Sequence, residues 1–284
     1  MSSSSSPLSS STSSSAAPSS PSSGSGIVAR LRAAGCVFAE DEARLLLSTA
    51  ATPAELDAMV ERRVAGLPLE HVLGWAEFRG LRIAVDPGVF VPRRRTEFLV
   101  EQAVTLARAA GSGPRPVVVD LCCGTGALGA ALVAAVDGAE LHAADVDPAA
   151  VRCARRNLAA VGGRVYQGDL YRPLPAALRG GVDVLVANAP YVPTAAIGFL
   201  PPEARLHEPM VALDGGPDGL DVQRRVIAGA TEWLAPGGHL LVEASPRQAP
   251  SSMELMAGAG LLVRRADSEE LDATVVIGTR PARP

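Results

Sequence analysis

The sequence predicts an α/β fold: a mostly parallel sheet with helices on both faces, behind a small helical domain. Three observations point to it. From Val117 onward, short apolar runs of strand character alternate with stretches of helical period. A cluster of glycines directly follows the first of these runs and opens a helix. Upstream of residue 97 there is no such alternation, only helical pattern and then turn residues.

Within the 284 residues, the first 26 hold no charged side chain and are mostly serine. Such a stretch cannot bury enough apolar surface to offset its ordering entropy, so residues 1–26 read as a disordered tail. It has neither a basic start nor an apolar core and does not read as a secretory signal. The helical domain is expected over 27–77, with Val28, Leu31 and Leu45–Leu47 at helical spacing. Thr52-Pro53-Ala54-Glu55 supplies an N-cap, a first-turn proline and an acidic first turn. Gly80 and Pro87-Gly88 interrupt a weak alternation from Phe78 to Val91, so residues 78–95 read as a hairpin linker. Residues 96–284 then form the α/β domain, opening on a helix from Thr96 to Ala110.

Strands are expected at Val117–Leu121, Leu141–Asp145, Arg164–Gln167, Val182–Ala187, His239–Glu243, Leu261–Arg264 and Thr274–Gly278. Between them Ala127–Val136, Pro148–Ala160 and Asp221–Leu234 carry helical period, which makes seven strands and parallel crossovers.

Composition removes several function classes. All 26 basic residues are arginine, so lysine Schiff-base and P-loop lysine chemistry are excluded. The net charge of −4 argues against a protein held to nucleic acid by charge alone. Cys36, Cys122, Cys123 and Cys153 have neither disulfide-framework nor zinc spacing, which fits a reducing cytoplasm and no metal. The uncharged run Leu121–Val136 is too short for a membrane span, and prolines break Val184–Pro202, so no membrane association is expected.

Chemistry concentrates at strand ends. Asp120-Leu121-Cys122-Cys123-Gly124-Thr125-Gly126-Ala127-Leu128-Gly129 follows the first strand and opens a helix. Glycines let backbone approach a ligand, and the helix start offers unpaired N–H groups. Gly124, Gly126 and Gly129 also match a dinucleotide fingerprint, which leaves a nicotinamide oxidoreductase open on the glycines alone. Asp120 argues the other way, because an anion there suits an ammonium group better than a pyrophosphate. Asp145 ends the second strand, where a carboxylate takes both ribose hydroxyls, and Asp169 ends the third, where it can face an adenine amino group. This arrangement resembles the class I S-adenosylmethionine-dependent methyltransferases, whose Rossmann-like sheet has an antiparallel last strand.

Asn188-Ala189-Pro190-Tyr191 follows the fourth strand and resembles the Asn-Pro-Pro-Tyr acceptor loop of amino-methyltransferases. An amide nitrogen is a poor nucleophile because its lone pair is delocalised. Two acceptors must hold its hydrogens and aim the lone pair: the Asn188 side-chain oxygen and the carbonyl of Ala189. Pro190 stiffens the turn, and Tyr191 can stack on a flat acceptor. Ala189 departs from the pattern but keeps its carbonyl.

Further segments resemble one family, the HemK/PrmC protein-(glutamine-N5) methyltransferases. They are Leu73–Gly80, Phe90–Glu97, His207–Leu220 and Pro236-Gly237-Gly238 before a strand ending at Glu243. The resemblance implies S-adenosyl-L-methionine bound by Gly124, Thr125, Gly126, Ala127, Leu128, Asp145, Leu170 and Asn188, and an acceptor bound by Asn188 to Tyr191. It implies a protein substrate, by family default a peptide chain release factor, with Glu208 as a brace rather than a base. Arg94 and Arg95 depart from the family's Pro-Glu, and the helical domain is shorter than usual. Arg93–Arg95 read as a solvated turn with one arginine holding the link. Two alternatives stay open: methylation of an exocyclic amino group in RNA or DNA, and a cofactor-binding module without catalysis.

Overall fold

The computed structural model describes residues 24–109 and 115–282. Most of the serine-rich stretch therefore lies outside the described residues; its last three residues, 24–26, open a helix instead. The chain divides into two compact units, one up to Ala65 and one from Gly66.

Among its described residues the first unit packs three helices, α1 (Gly24–Ala33), α2 (Ala39–Thr49) and α3 (Pro53–Val64). Ile27 and Leu31 sit one turn apart and are fully buried, as is Leu46. Thr52 caps α3 by accepting from the Glu55 N–H at 3.2 Å, while the Glu55 carboxylate reaches back to the Ala51 N–H at 2.8 Å. A buried bidentate pair joins Arg63 to Glu42 at 2.6 and 3.1 Å.

The second unit begins with a short helix, α4 (Leu69–Leu73), closed by left-handed Gly74. A hairpin follows, β1 (Trp75–Phe78) against β2 (Leu81–Ala84). It lies earlier than the expected Phe78–Val91. Arg79 and Gly80 both take positive φ, at 49° and 74°, which makes the two-residue turn that closes a right-twisted hairpin. Pro87-Gly88 forms only a loop turn, with the Val89 N–H on the Asp86 carbonyl.

After α5 (Glu97–Ala109), five parallel strands follow: β3 (Val117–Leu121), β4 (Glu140–Asp145), β5 (Arg164–Gln167), β6 (Val182–Ala187) and β7 (Leu234–Ala244). Helices α6 (Ala127–Ala135) and α7 (Pro148–Leu158) connect β3 to β4 and β4 to β5. Short helices α8 (Pro202–His207) and α9 (Met210–Leu213) and the longer α10 (Asp221–Trp233) lie between β6 and β7. Helix α11 (Ala249–Gly258) leads to β8 (Leu262–Ser268) and β9 (Ala273–Thr279). Among the described residues the sheet order is β5-β4-β3-β6-β7-β9-β8, with β9 antiparallel to both neighbours. The sequence pattern misses α11, whose Pro, Ser and Gly content dilutes any apolar stripe.

Alternate residues of the central strands feed two cores. Val118, Val184 and Val186 pack on the α5–α6 side, and Val119, Leu185 and Ala187 on the α10–α11 side. The strand order reverses beside β3, so the crevice at the carboxyl ends of β3, β4 and β6 is where this topology places a ligand. Among the described residues no helix is long and apolar enough to cross a membrane.

Candidate active site

That crevice is a cavity of about 730 Å³, within the range for a small-molecule pocket. Its lining includes Cys122, Gly124, Asp145, Asp169 and Leu170 from the ends of β3, β4 and β5. It also includes Asn188, Ala189, Pro190 and Tyr191 from the loop after β6, and Phe90, Arg93 and Arg95 from the link.

The three loop glycines have separate tasks. Gly124 sits at φ +54°, and a Cβ there would meet nothing within 4 Å, so the backbone faces open space. A Cβ on Gly126 would come within 3.1 Å of Leu158. On Gly129 it would lie 2.9 Å from Leu141, so these two let α6 pack closely. Asp145 organises the open side: Oδ2 accepts from the Gly124 N–H at 2.8 Å and Oδ1 from the Asp147 N–H at 2.9 Å. Burial raises its pKa, opposed by those backbone donors. An open backbone cradle beside a fixed carboxylate fits a nucleoside carrying a flexible polar tail, as S-adenosylmethionine is.

Thr125, Gly126, Ala127 and Leu128 are not among the residues that line the cavity. The Thr125 carbonyl accepts from the Asn157 amide at 2.8 Å, and Asn157 also exchanges bonds with Ala84, tying the loop to β2. Asp120 lies beneath the loop. Its Oδ2 accepts from the Gly129 N–H at 3.1 Å, while Oδ1 is buried with no partner among the described residues. Desolvation pushes its pKa up to about 7, against the opposing Gly129 hydrogen bond.

A carboxyl that titrates near 4 unfolded and near 7 folded binds more protons in the folded state between those values. Its contribution to stability therefore falls as pH rises through that window. We expect Asp120→Asn, which keeps an oxygen for Gly129, to melt above wild type at pH 8. The gap should close toward pH 4. A gap independent of pH would contradict this account.

Asp169 shares Oδ2 with Arg225 at 2.5 Å, and both line the cavity. Leu170 beside it is held at φ +50°. Cys122 is likewise left-handed, at φ +56°. Burial first, then the carboxylates of Asp145, Asp120 and Asp169, push its thiol far up. It stays protonated, which removes it as a nucleophile. Among the described residues no cluster could hold a metal ion.

The second group of lining residues is built with equal care. The Asn188 amide donates to Thr96 Oγ1 at 3.3 Å, which orients the side chain and leaves its oxygen as an acceptor. The Tyr191 hydroxyl accepts from Arg95 and donates to Glu243 Oε1 at 3.3 Å. Burial and the Glu243 charge raise its pKa to about 12, so it is no base at neutral pH. The Tyr191 carbonyl accepts from Gln248 at 2.9 Å. Gly215 donates to Val192, and Val192 to Leu213. The stretch His207–Leu220 thus pairs with the chain just after this loop, and Glu208, Pro209 and Val211–Leu213 within it line the same cavity.

Glu208 accepts from the Val91 N–H at 3.1 Å and from Arg93 at 2.6 Å. It braces the link, as expected from the sequence. Of the three successive arginines, two rather than one are engaged, Arg93 with Glu208 and Arg95 with Glu243; Arg94 is exposed, and so is nearly half of the Arg95 side chain. Thr96, Glu243 and Gln248 escaped the sequence reading of the site because their partners lie far away in the chain. Only the pattern ending at Glu243 could have hinted at one of them.

Comparison with known proteins agrees with this geometry. Residues 80–199 match the family model described as methyltransferase small domain. A release factor glutamine methyltransferase of Bradyrhizobium diazoefficiens is 37% identical over 263 residues, covering 86% of this chain and 89% of the relative. One from Mycolicibacterium smegmatis is 42% identical over 208 residues, 72% of each chain. In shape alone, the chain resembles a crystallographically solved methyltransferase from Pyrococcus furiosus, with TM-score 0.52, 16% identity and coverage of 79% and 98%. With identity at that level across most of both sequences, the chain belongs to the release factor glutamine methyltransferases, S-adenosylmethionine-dependent enzymes of the class I fold.

Proposed function

We propose that this enzyme methylates the side-chain amide nitrogen of a glutamine in a peptide chain release factor. The observation that carries the reading is that one cavity is lined both by the Gly124–Asp145 cradle and by the Asn188–Tyr191 loop. When bound, S-adenosylmethionine supplies a methyl group on a sulfonium that an aligned nitrogen lone pair can displace.

The chain's own residues do the positioning. Gly124 presents open backbone, the Asp145 carboxylate takes the ribose hydroxyls, and Asp169 and Leu170 border the adenine. The Asn188 oxygen and the Ala189 carbonyl accept the two amide hydrogens of the glutamine, which turns the nitrogen lone pair toward the methyl group. Substituting Ala for a proline at 189 keeps that carbonyl. Tyr191 forms the wall along the flat amide.

No general base is called for. The Tyr191 hydroxyl and Glu208 are already committed to protein partners, and a proton can leave the methylated nitrogen to water. A substrate of the translation machinery agrees with the cytoplasmic location expected from the cysteine spacing.

Asp145→Ala should weaken S-adenosylhomocysteine binding by about ten- to a hundredfold, since it loses hydrogen bonds to the ligand and its hold on Gly124. Calorimetric titration measures this, and unchanged affinity would remove Asp145 from the cofactor site.

The function is tested by labelled methyl transfer into lysate of cells lacking the gene. Label should be lost on protease treatment and run with a release factor. Label lost on nuclease treatment would transfer the enzyme to RNA or DNA methylation.

A further inference from the structure

Arg95, Tyr191 and Glu243 come from three separate parts of the chain and close a ring of hydrogen bonds. Arg95 Nη2 donates to the Tyr191 hydroxyl, which donates to Glu243 Oε1 at 3.3 Å. Arg95 Nε donates to that same Oε1 at 3.1 Å. The guanidinium carbon lies 5.7 Å from the centre of the Tyr191 ring. Arg95 and Tyr191 line the cavity. Glu243 does not; its side chain is only 4% exposed, and Oε2 has no partner among the described residues. A carboxylate buried so deeply needs its cation.

The planar fork of arginine engages both acceptors at once, which a lysine ammonium on a flexible stem does not reproduce. With its hydroxyl used as donor and as acceptor, Tyr191 has one place to stand. We propose that Arg95 is a positioning residue for the methyl acceptor, acting through the Tyr191 hydroxyl to fix the wall against which the glutamine amide lies. This rests on the acceptor reading of Asn188–Tyr191.

The test compares steady-state methylation of a purified release factor by wild type, Arg95→Met, Arg95→Lys, Tyr191→Phe and two double variants. Melting temperature and S-adenosylhomocysteine affinity are measured on each. Arg95→Met should lower kcat about tenfold, as the loss of one charge-assisted hydrogen bond implies, with KM and S-adenosylhomocysteine affinity little changed. Arg95→Lys should fall between it and wild type. The pair Arg95→Met/Tyr191→Phe should be no slower than the slower single variant, because both changes break the same contact. Arg95→Met/Glu243→Gln removes the stranded charge, so it should regain melting temperature but not kcat.

Wild-type kcat in Arg95→Met, multiplied losses in the pair with Tyr191→Phe, or recovered kcat in the pair with Glu243→Gln would each overturn the proposal. Asn188→Ala is run alongside. If it is inactive while Arg95→Met is normal, only the role of Arg95 fails. If Asn188→Ala stays fully active, the acceptor reading fails and the proposal with it.

Discussion

Asn188→Ala should slow methyl transfer about a hundred- to a thousandfold, the loss seen when one preorganised polar group is removed from a reacting centre. The reason lies in what the side chain does twice. Its N–H donates to Thr96 at 3.3 Å, so its oxygen is held rather than free to rotate. That held oxygen is one of two acceptors available for the amide hydrogens. Alanine deletes it, and the Ala189 carbonyl alone cannot fix the nitrogen's orientation. S-adenosylhomocysteine affinity should fall far less, by under about tenfold, because the cradle at Gly124 and Asp145 is untouched. Stopped-time assays with a release factor and calorimetry with S-adenosylhomocysteine separate the two effects. Near-normal turnover would sink the acceptor assignment.

The second large effect is expected outside the cavity. Gly219 does not line it, yet a Cβ there would lie 2.3 Å from the Tyr191 carbonyl oxygen and 2.3 Å from the Gln248 amide nitrogen. Those two atoms form the bond that supports the acceptor loop. The residue also sits at φ +79°, where an alanine is strained. Overlap and strain together should cost about 2–5 kcal/mol in Gly219→Ala. That corresponds to a fall in melting temperature of very roughly 5–15 °C. Methyl transfer should drop at least about tenfold, since the loop that moves carries the acceptor groups. Gly180→Ala is the matching control. It has a similar φ of +70° but no atom within 4 Å of its Cβ, and it lies outside the cavity lining. It should cost only about 1 kcal/mol and leave turnover intact. Equal behaviour of the two variants would contradict the buttress.

These two residues mark how far the sequence was legible. The strand Val182–Ala187 runs where its pattern indicated, because a buried parallel strand leaves a nearly continuous apolar signature, whereas Arg164–Gln167, at the sheet edge with both ends exposed, was legible from Val165-Tyr166 alone. Cavity-facing groups at strand ends, such as Asp145 and Asn188, were legible because topology alone places them there. Asp120 shows the limit. It ends β3 as read, but its side chain turns under the loop to the Gly129 N–H, a choice made by packing. The hairpin was misplaced because Arg79-Gly80 lacks the usual turn residues at its first position. The buttress of the acceptor loop was illegible for a different reason. Gln248 and Tyr191 are 57 residues apart, and no local periodicity connects them. Arg95 read as part of a solvated run, since nothing in three adjacent arginines says which one will meet a buried carboxylate.

The most direct measurement of the central claim is a mass-spectrometric map of a purified release factor after incubation with this enzyme and S-adenosylmethionine. One methyl group on a single glutamine side chain is expected, absent when Asn188→Ala replaces wild type. A methyl group on any other residue type, or a glutamine methylated equally well by Asn188→Ala, would contradict it.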